Sequence, residues 1–393
     1  SHYYFPDFFI EEYNLICEIK SSYYYKLDID KNISKEEYTK KLGKIDGYKN
    51  ILIIGASTGY GLASRIASAY GYGASTIGVS FEREAKGKRT ATAGWYNTKA
   101  FEEFATADGY YAKSINGDAF STEIKTETIN LIKEDLGQVD MIIYSLASPR
   151  RTTADGITYT SALKTIDCEF TNKSLDLRTN EITQASVSSA TQEEIESTIK
   201  VMGGEDWKDW IIALSEAGVL AKNAVTFAYS YIGPVLTYPV YYHGTIGKAK
   251  EHLLHTAFEI SDMFMDQGLR AYISVNKALV TQSSSAIPVV PLYICILYRL
   301  MKEANTHEGC IEQANRLCRE KIATEPIIDD EGRIRLDDYE MDADIQEMVM
   351  DCWKLVDTDN VASMADIAGY WEDFYHMFGF EFEQVDYNAD VEI

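Results

Sequence analysis

A tyrosine and a lysine nine positions apart, Tyr241 and Lys250, are the residues best suited to chemistry. Hydride addition to a carbonyl compound places negative charge on its oxygen, so a catalyst needs a donor at that oxygen and a source of a proton. A phenol near a lysine meets both needs. We expect the ammonium to lower the pKa of the phenol and to hold the ribose of a nicotinamide cofactor.

Helical geometry constrains how this pair can be arranged. Nine residues along one continuous helix turn a side chain by about 900°, which would place Tyr241 and Lys250 on opposite faces. We therefore predict that Tyr241 precedes the helix, with Gly244 and Gly247 at the break and Lys250 in the first turns. Lys248 is the competing lysine.

A glycine-rich turn indicates a dinucleotide site. The apolar strand Ile51–Ile54 runs into Gly55, Gly59 and Gly61, spaced G-x-x-x-G-x-G, and an apolar helix follows. Such a turn lets the backbone approach a pyrophosphate, and the helix N-terminus supplies N–H donors. A strand–helix turn with only a structural role is the alternative interpretation.

The end of the second predicted strand carries an acidic residue. Glu82 follows Gly61 by 21 residues. A carboxylate there can accept hydrogen bonds from both ribose hydroxyls of an adenosine and would repel a 2'-phosphate, which favours NADH over NADPH. A solvated carboxylate at a strand end is the alternative.

Other strand ends carry further candidate contacts. Asp118 and Ala119 end the third strand, where an aspartate can bind the adenine amino group, and Ser145–Ala147 end the fourth. Leu279–Thr281 follow the sixth strand and can reach the nicotinamide carboxamide through backbone groups. Tyr231 ends the fifth strand, where substrate contact and simple core packing are equally open.

The order of elements predicts an α/β fold, a Rossmann-type doubly wound parallel sheet. We divide the chain into an N-terminal extension or hairpin (1–48), a catalytic domain (49–330) and a helical C-terminal addition (331–393) packed on the same body. The catalytic domain contains an inserted small hairpin region at about 150–200 and substrate-covering helices at about 283–322.

Composition excludes several functional classes. The 37 basic and 61 acidic residues give a net charge of -24, which would repel nucleic acid. The most apolar stretch, Ile287–Leu297, is too short to span a bilayer. The six cysteines have no C-x-x-C spacing, so we predict no metal site and reduced thiols in a cytoplasmic protein.

Several strings of residues closely resemble the FabV-type trans-2-enoyl-CoA/ACP reductases of the short-chain dehydrogenase superfamily. They lie at 55–66, 78–82, 144–149, 200–207, 229–234 and 244–250, and the resemblance runs from about residue 50 to the C-terminus. It implies NADH-dependent reduction of enoyl-CoA or enoyl-ACP in fatty acid synthesis, by a monomer. The first 45 residues and the pair Tyr242–His243 depart from the family pattern.

The resemblance also implies roles for individual residues. The family's Y-x8-K pair falls on Tyr241 and Lys250, which favours Lys250 over Lys248, and its substrate tyrosine falls on Tyr231. Its cofactor contacts, together with Lys250, fall on Gly55, Ala56, Ser57, Thr58, Gly59, Tyr60, Phe81, Glu82, Asp118, Ala119, Leu146, Ala147, Leu279, Val280 and Thr281.

Two other functions remain as alternatives. A short-chain carbonyl reductase would normally need Tyr-x-x-x-Lys, which does not occur at 225–255, although Ser230 leaves some room for it. A catalytically silent nucleotide-binding protein would have no need of Tyr241 and Lys250.

Overall fold

The computed structural model describes residues 8–10, 15–17, 35–87, 89–281, 284–323 and 325–382. An antiparallel hairpin, β1 (Phe8–Ile10) and β2 (Leu15–Cys17), comes first. Helix α1 covers residues 35–41. The rest of the predicted N-terminal extension before residue 35 lies outside the described residues.

Alternating strands and helices then build half of a parallel sheet. Its elements are β3 (Asn50–Ile54), α2 (Gly59–Ile66), β4 (Ser75–Ser80), α3 (Ala93–Ala107), β5 (Ala112–Asn116), α4 (Thr122–Asp135) and β6 (Val139–Tyr144). A π-helical turn, Ala67–Tyr72, extends α2. The Ser121 hydroxyl accepts from the backbone N–H of Ile124 and caps α4.

The insertion holds two hairpins where the sequence suggested one small hairpin region. They are β7 (Arg150–Thr152) with β8 (Thr158–Thr160), and β9 (Phe170–Asp176) with β10 (Glu181–Val187). Helices α5 (Gln192–Met202) and α6 (Glu205–Glu216) return the chain to the sheet.

The second half of the sheet adds one strand more than predicted. Its elements are β11 (Leu220–Ser230), α7 (Thr245–Met263), β12 (Arg270–Val275), α8 (Val290–Glu303), α9 (Cys310–Arg316) and β13 (Arg333–Arg335). All seven strands run parallel in the order β13-β12-β11-β6-β3-β4-β5. The C-terminal part is therefore not purely helical: β13 is too short to show a periodic pattern, and its pairing with β12 holds it.

Both faces of the sheet are covered, as a doubly wound fold requires. Successive side chains of a strand point to opposite faces. Leu52 and Ile54 therefore join a core with Trp207 and Trp210 of α6, while Ile51 and Ile53 join a core with Leu317 on the other side.

A second core surrounds α8, which is apolar on almost every face. It packs against β9 and against α10 (Ala343–Leu355) and α12 (Ile367–Met377); a short helix, α11 (Val361–Met364), lies between those two. A helix apolar all round must be buried. Among the described residues, no helix is both long and apolar enough to cross a bilayer.

One lysine links the insertion to the C-terminal helices. The Lys173 ammonium on β9 donates to the carbonyl oxygens of Trp353, Lys354 and Val356 at 2.8, 3.1 and 2.9 Å. These oxygens lie at the C-terminal end of α10, where a helix lacks internal donors and favours a positive charge.

Replacing that ammonium is expected to destabilise the protein. Lys173→Met keeps the aliphatic stem and should lower the free energy of unfolding by about 1–2 kcal/mol, measured by urea unfolding. Lys222→Met is the matched control, because Lys222 is exposed and no described residue pairs with it. Equal losses in both variants would contradict the capping role.

Candidate active site

The glycine turn between β3 and α2 is packed tightly. The backbone N–H groups of Gly55 and Ala56 both donate to the carbonyl of Val79, at 2.8 and 3.0 Å. A methyl group on Gly61 would overlap the carbonyl oxygen of Gly55, so only glycine fits. Thr58 precedes the helix without capping it through its side chain, so N–H groups at the start of α2 remain for an anion.

Tyr60 points away from the turn. Its hydroxyl lies 2.9 Å from the carbonyl of Lys277 and 3.0 Å from Oε1 of Gln313, and its ring packs on Tyr229. The side chain thus ties α2 to the segment after β12, which leaves the predicted cofactor contact to its backbone.

Glu82 is held in a fixed orientation at the end of β4. Its two carboxylate oxygens accept from the hydroxyls of Ser57, at 2.6 Å, and Thr92, at 2.5 Å. The Asn116 amide accepts from the Glu82 backbone N–H and donates to its carbonyl. Phe81 beside it is 77% exposed, so an apolar ring is available next to the carboxylate. Sequence reasoning missed Thr92 and Asn116, because neither belongs to a recognisable motif.

A buried lysine supports the loop of Asp118 and Ala119. The Lys125 ammonium donates to the carbonyls of Ala119 and Phe120, both at 3.0 Å, and to Oδ1 of Asp206 at 2.7 Å. Oδ2 of Asp206 accepts from the Tyr144 hydroxyl. Burial raises the pKa of Asp206, and the neighbouring ammonium opposes that shift. Asp206 belongs to the string at 200–207. Through Lys125 it supports the loop that is predicted to bind the adenine.

Tyr241 lies in the turn ahead of α7, as the rotation argument predicts. Its carbonyl accepts from the backbone N–H groups of Gly244 and Gly247, at 3.1 and 2.9 Å. A methyl group on Gly247 would overlap the carbonyl of Tyr242, so the turn can lie directly on the first turn of the helix. The Thr245 hydroxyl donates to the carbonyl of Ala162, so the insertion holds the same helix end.

The two candidate lysines point in different directions. The Lys250 ammonium donates to the carbonyl of Tyr229 on β11 at 2.9 Å, and burial lowers its pKa to about 8. Lys248 is exposed and forms an ion pair with Glu251 at 2.8 Å. Only Lys250 therefore faces the carboxyl edge of the sheet.

The expected lowering of the phenol pKa is wrong for the free protein. Burial raises the pKa of Tyr241 to about 12, because the phenolate is the charged form and the ammonium of Lys250 is directed to the Tyr229 carbonyl. Among the described residues, none hydrogen-bonds the Tyr241 hydroxyl. The ring of Tyr231 meets that of Tyr241 edge-on, with centroids 4.8 Å apart and planes at 86°.

The segment after β12 already has partners for most of its backbone groups. The Val280 N–H donates to the Tyr298 hydroxyl at 3.1 Å, and the Leu279 carbonyl and Thr281 N–H both bind the Ser284 hydroxyl. Among the described residues, the Leu279 N–H and the Val280 carbonyl have no hydrogen-bond partner, so either is free for a carboxamide contact. Leu146 and Ala147 follow β6, half-buried and exposed respectively.

These groups share one edge of the sheet. The carboxyl ends of parallel strands meet at the same edge, and the chain reverses its direction of winding between β3 and β6, where ligands of doubly wound folds bind. The structure thus brings the predicted cofactor residues and the tyrosine–lysine pair to one side of the molecule.

Comparison with known proteins identifies the family. Residues 89–323 match the model for the trans-2-enoyl-CoA reductase catalytic region. Residues 29–87 match the NAD(P)H binding domain of trans-2-enoyl-CoA reductase. The chain belongs to the trans-2-enoyl-CoA reductase family. This match confirms the predicted family. It also confirms the predicted reaction class and nicotinamide cofactor, as far as the family description gives them.

Individual relatives of this reductase cover nearly the whole chain. It is 55% identical over 366 residues to an enoyl-acyl-carrier-protein reductase (NADH) of Flavobacterium johnsoniae, covering 92% of each. It is 52% identical over 363 residues to a trans-2-enoyl-CoA reductase (NADH) of Ruminiclostridium cellulolyticum, again covering 92% of each.

Solved structures share the fold. The trans-2-enoyl-CoA reductase of Clostridium acetobutulicum in complex with NADH superposes with a TM-score of 0.91 at 44% identity, covering 94% of each chain. That of Treponema denticola in complex with NAD gives a TM-score of 0.91 at 45% identity, covering 96% of each. The predicted Rossmann-type fold is confirmed.

A third family model carries the name of a different cofactor. Residues 328–391 match an enoyl reductase FAD binding domain. In the described part of that range, 328–382, no strand runs through a glycine turn into a helix, and Val349, Trp353 and Tyr370 fill the core around α8. These residues do not fit a flavin dinucleotide. The glycine turn, the uncapped start of α2 and the fixed Glu82 do fit NADH.

The ribose role of Glu82 can be tested by substitution. Glu82→Ala removes a charged acceptor, so we expect the KM for NADH to rise about 10- to 100-fold and the preference over NADPH to shrink. Glu84→Ala is the control, because Glu84 is exposed and two residues away. An unchanged ratio of kcat/KM for NADH and NADPH in Glu82→Ala would remove the role.

Lys250 should make NADH binding depend on pH. Its pKa in the folded protein is lowered to about 8, so the ammonium is present below that pH and lost above it. The dissociation constant for NADH should therefore be constant at neutral pH and rise above about pH 8. Titrations monitored by NADH fluorescence measure it. Lys250→Arg should abolish the rise and Lys248→Met should keep it; the reverse pattern would assign the group to Lys248.

Proposed function

We propose that the protein reduces the C2–C3 double bond of trans-2-enoyl thioesters with NADH, using Tyr241 and Lys250 as catalytic residues and Tyr231 as a substrate contact. The observation that carries this proposal is the Tyr241 hydroxyl. It lies beside Tyr231 at the carboxyl edge of the sheet, and no described residue hydrogen-bonds it. A substrate carbonyl can therefore take its hydrogen bond.

NADH, when bound, supplies the hydride for the β-carbon. Glu82 is suited to hold the adenosine ribose, and the start of α2 to hold the pyrophosphate. The loop of Asp118 and Ala119, fixed by Lys125, is suited to hold the adenine. Lys250 would hold the other end of the cofactor through its ammonium, which can donate to the nicotinamide ribose.

Tyr241 stabilises the charge that develops on the thioester oxygen. Because its pKa is raised to about 12, the phenol keeps its proton at neutral pH and acts as a donor. A preorganised donor in a site shielded from water gains strength as the oxygen becomes an enolate. The phenol then supplies the proton for the α-carbon, and the phenolate that remains draws the ammonium of Lys250 away from the Tyr229 carbonyl, to which it donates in the free protein.

The carrier of the acyl group is CoA or acyl carrier protein. Relatives at similar identity bear both names, an enoyl-acyl-carrier-protein reductase and a trans-2-enoyl-CoA reductase. We extend the proposal to fatty acid synthesis by a monomer in the cytoplasm, which the resemblance implies, with no nucleic acid partner, as the net charge of -24 favours.

Two thioesters separate enoyl reduction from its alternatives. NADH oxidation is followed with crotonyl-CoA and, separately, with acetoacetyl-CoA. We expect turnover with crotonyl-CoA, and Tyr241→Phe and Lys250→Met should each lower it by about 100-fold or more with the fold intact. Turnover with acetoacetyl-CoA alone would indicate a carbonyl reductase, and none with either would indicate a silent nucleotide-binding protein.

Neighbouring residues provide matched controls for both variants. Tyr242 is exposed and Lys248 faces Glu251, so Tyr242→Phe and Lys248→Met should retain activity near that of the wild type. A greater loss in Lys248→Met than in Lys250→Met would reverse the assignment of the lysine. Circular dichroism verifies that each variant is folded.

A further inference from the structure

A buried carboxylate from the C-terminal part of the chain lies directly behind Tyr231. Glu340 follows β13 and has no exposure to solvent. Its Oε1 accepts from the hydroxyls of Tyr231, at 2.9 Å, and Tyr293, at 2.6 Å. Its Oε2 accepts from the backbone N–H of Ala278 at 2.7 Å. The end of β11, the segment after β12 and α8 therefore meet at one side chain.

This contact sets the orientation of Tyr231. A phenol has one hydrogen to donate, and Tyr231 gives it to Glu340. The other side of the Tyr231 oxygen therefore presents only lone pairs. The ring is fixed as well, and it is the ring against which Tyr241 packs edge-on. A shift of Tyr231 would remove the surface that positions Tyr241.

The surroundings offset part of the cost of burying this carboxylate. Burial raises the pKa of Glu340, and the ammonium of Lys277, only 2% exposed, opposes that shift. Gln346 donates to the Glu340 backbone carbonyl at 2.6 Å and to the Tyr293 hydroxyl at 3.2 Å. A buried carboxylate with three donors and a nearby cation is held firmly, because moving it would leave a charge unpaired.

We propose that Glu340 is a positioning residue of the active site: it holds Tyr231 in the orientation that keeps Tyr241 in place for the substrate. This role rests on the proposed enoyl reduction. It gives the C-terminal part of the chain a role in that reaction through Tyr231.

A double-mutant cycle with Glu340→Gln and Tyr231→Phe tests the role in the full-length enzyme, with NADH and crotonyl-CoA. Each single variant should lower kcat/KM for crotonyl-CoA about tenfold or more. The double variant should lose no more than Tyr231→Phe alone, because both changes remove the same hydrogen bond to a charged acceptor. The dissociation constant for NADH should not change. Losses that multiply, or a wild-type kcat/KM in Glu340→Gln, would overturn the proposal.

A variant of a second buried carboxylate, Asp337, distinguishes a positioning role of Glu340 from a general effect on stability. Asp337 is also fully buried, but its oxygens accept from Arg335 at 2.7 Å. Asp337→Asn should lose stability to urea and keep kcat/KM in the folded protein. An equal loss of kcat/KM in Asp337→Asn and Glu340→Gln would make the effect structural and overturn the proposal.

Folding and function are monitored separately. If Glu340→Gln does not fold, Glu340→Asp, which keeps the charge but withdraws it from Tyr231, takes its place in the cycle with the same expectations. A folded wild-type enzyme without crotonyl-CoA turnover would refute the proposed function, and the role of Glu340 would fall with it. If the wild-type enzyme turns over crotonyl-CoA and the losses in kcat/KM of the two single variants multiply in the double variant, only the role of Glu340 is refuted.

Discussion

Helix α8 has apolar side chains on almost every face, and the arrangement of the insertion and the C-terminal helices depends on covering it. A helix of this kind is stable only when it is enclosed. The segment after β12 covers part of it, and β9, α10 and α12 pack on the remainder. The inserted hairpin and the C-terminal helices are thus two parts of one cover, and Lys173 joins them. Enclosing α8 also brings Tyr293 and Glu340 to Tyr231.

The same removal of water explains the protonation states of Tyr241 and Lys250, the proposed catalytic pair. Burial disfavours whichever form of a group is charged, so it raises the pKa of Tyr241 to about 12 and lowers that of Lys250 to about 8. The two shifts have opposite signs and one cause. A lysine can lower the pKa of a phenol only where its charge is directed at the phenol. In the free protein the ammonium faces the Tyr229 carbonyl instead.

The elements that carry the proposed cofactor contacts were largely predictable from the sequence, and the surroundings of α8 and Tyr231 were not. The glycine turn, Glu82 and Asp118 each follow a strand of the parallel sheet, so their meeting at one sheet edge follows from the order of elements. The position of Tyr241 ahead of α7 followed from helical rotation. Glu340, Lys125 and Asp206 could not be found this way. Their roles come from long-range contacts that leave no spacing or periodicity in the sequence, and β13 was missed for the same reason.

The surroundings of Glu82 and Glu340 differ in how firmly they hold the carboxylate. Glu82 is positioned by the hydroxyls of two short side chains, Ser57 and Thr92, and by the amide of Asn116. None of these groups carries a charge. Losing one such contact leaves the carboxylate half-exposed, where water can replace it. Glu340 lies where water has no access, so a donor that is lost is not replaced and the folded state becomes less stable. Tyr231 and Tyr293 are therefore held in place by the requirement to satisfy a buried carboxylate, and their positions depend on the fold of the C-terminal part.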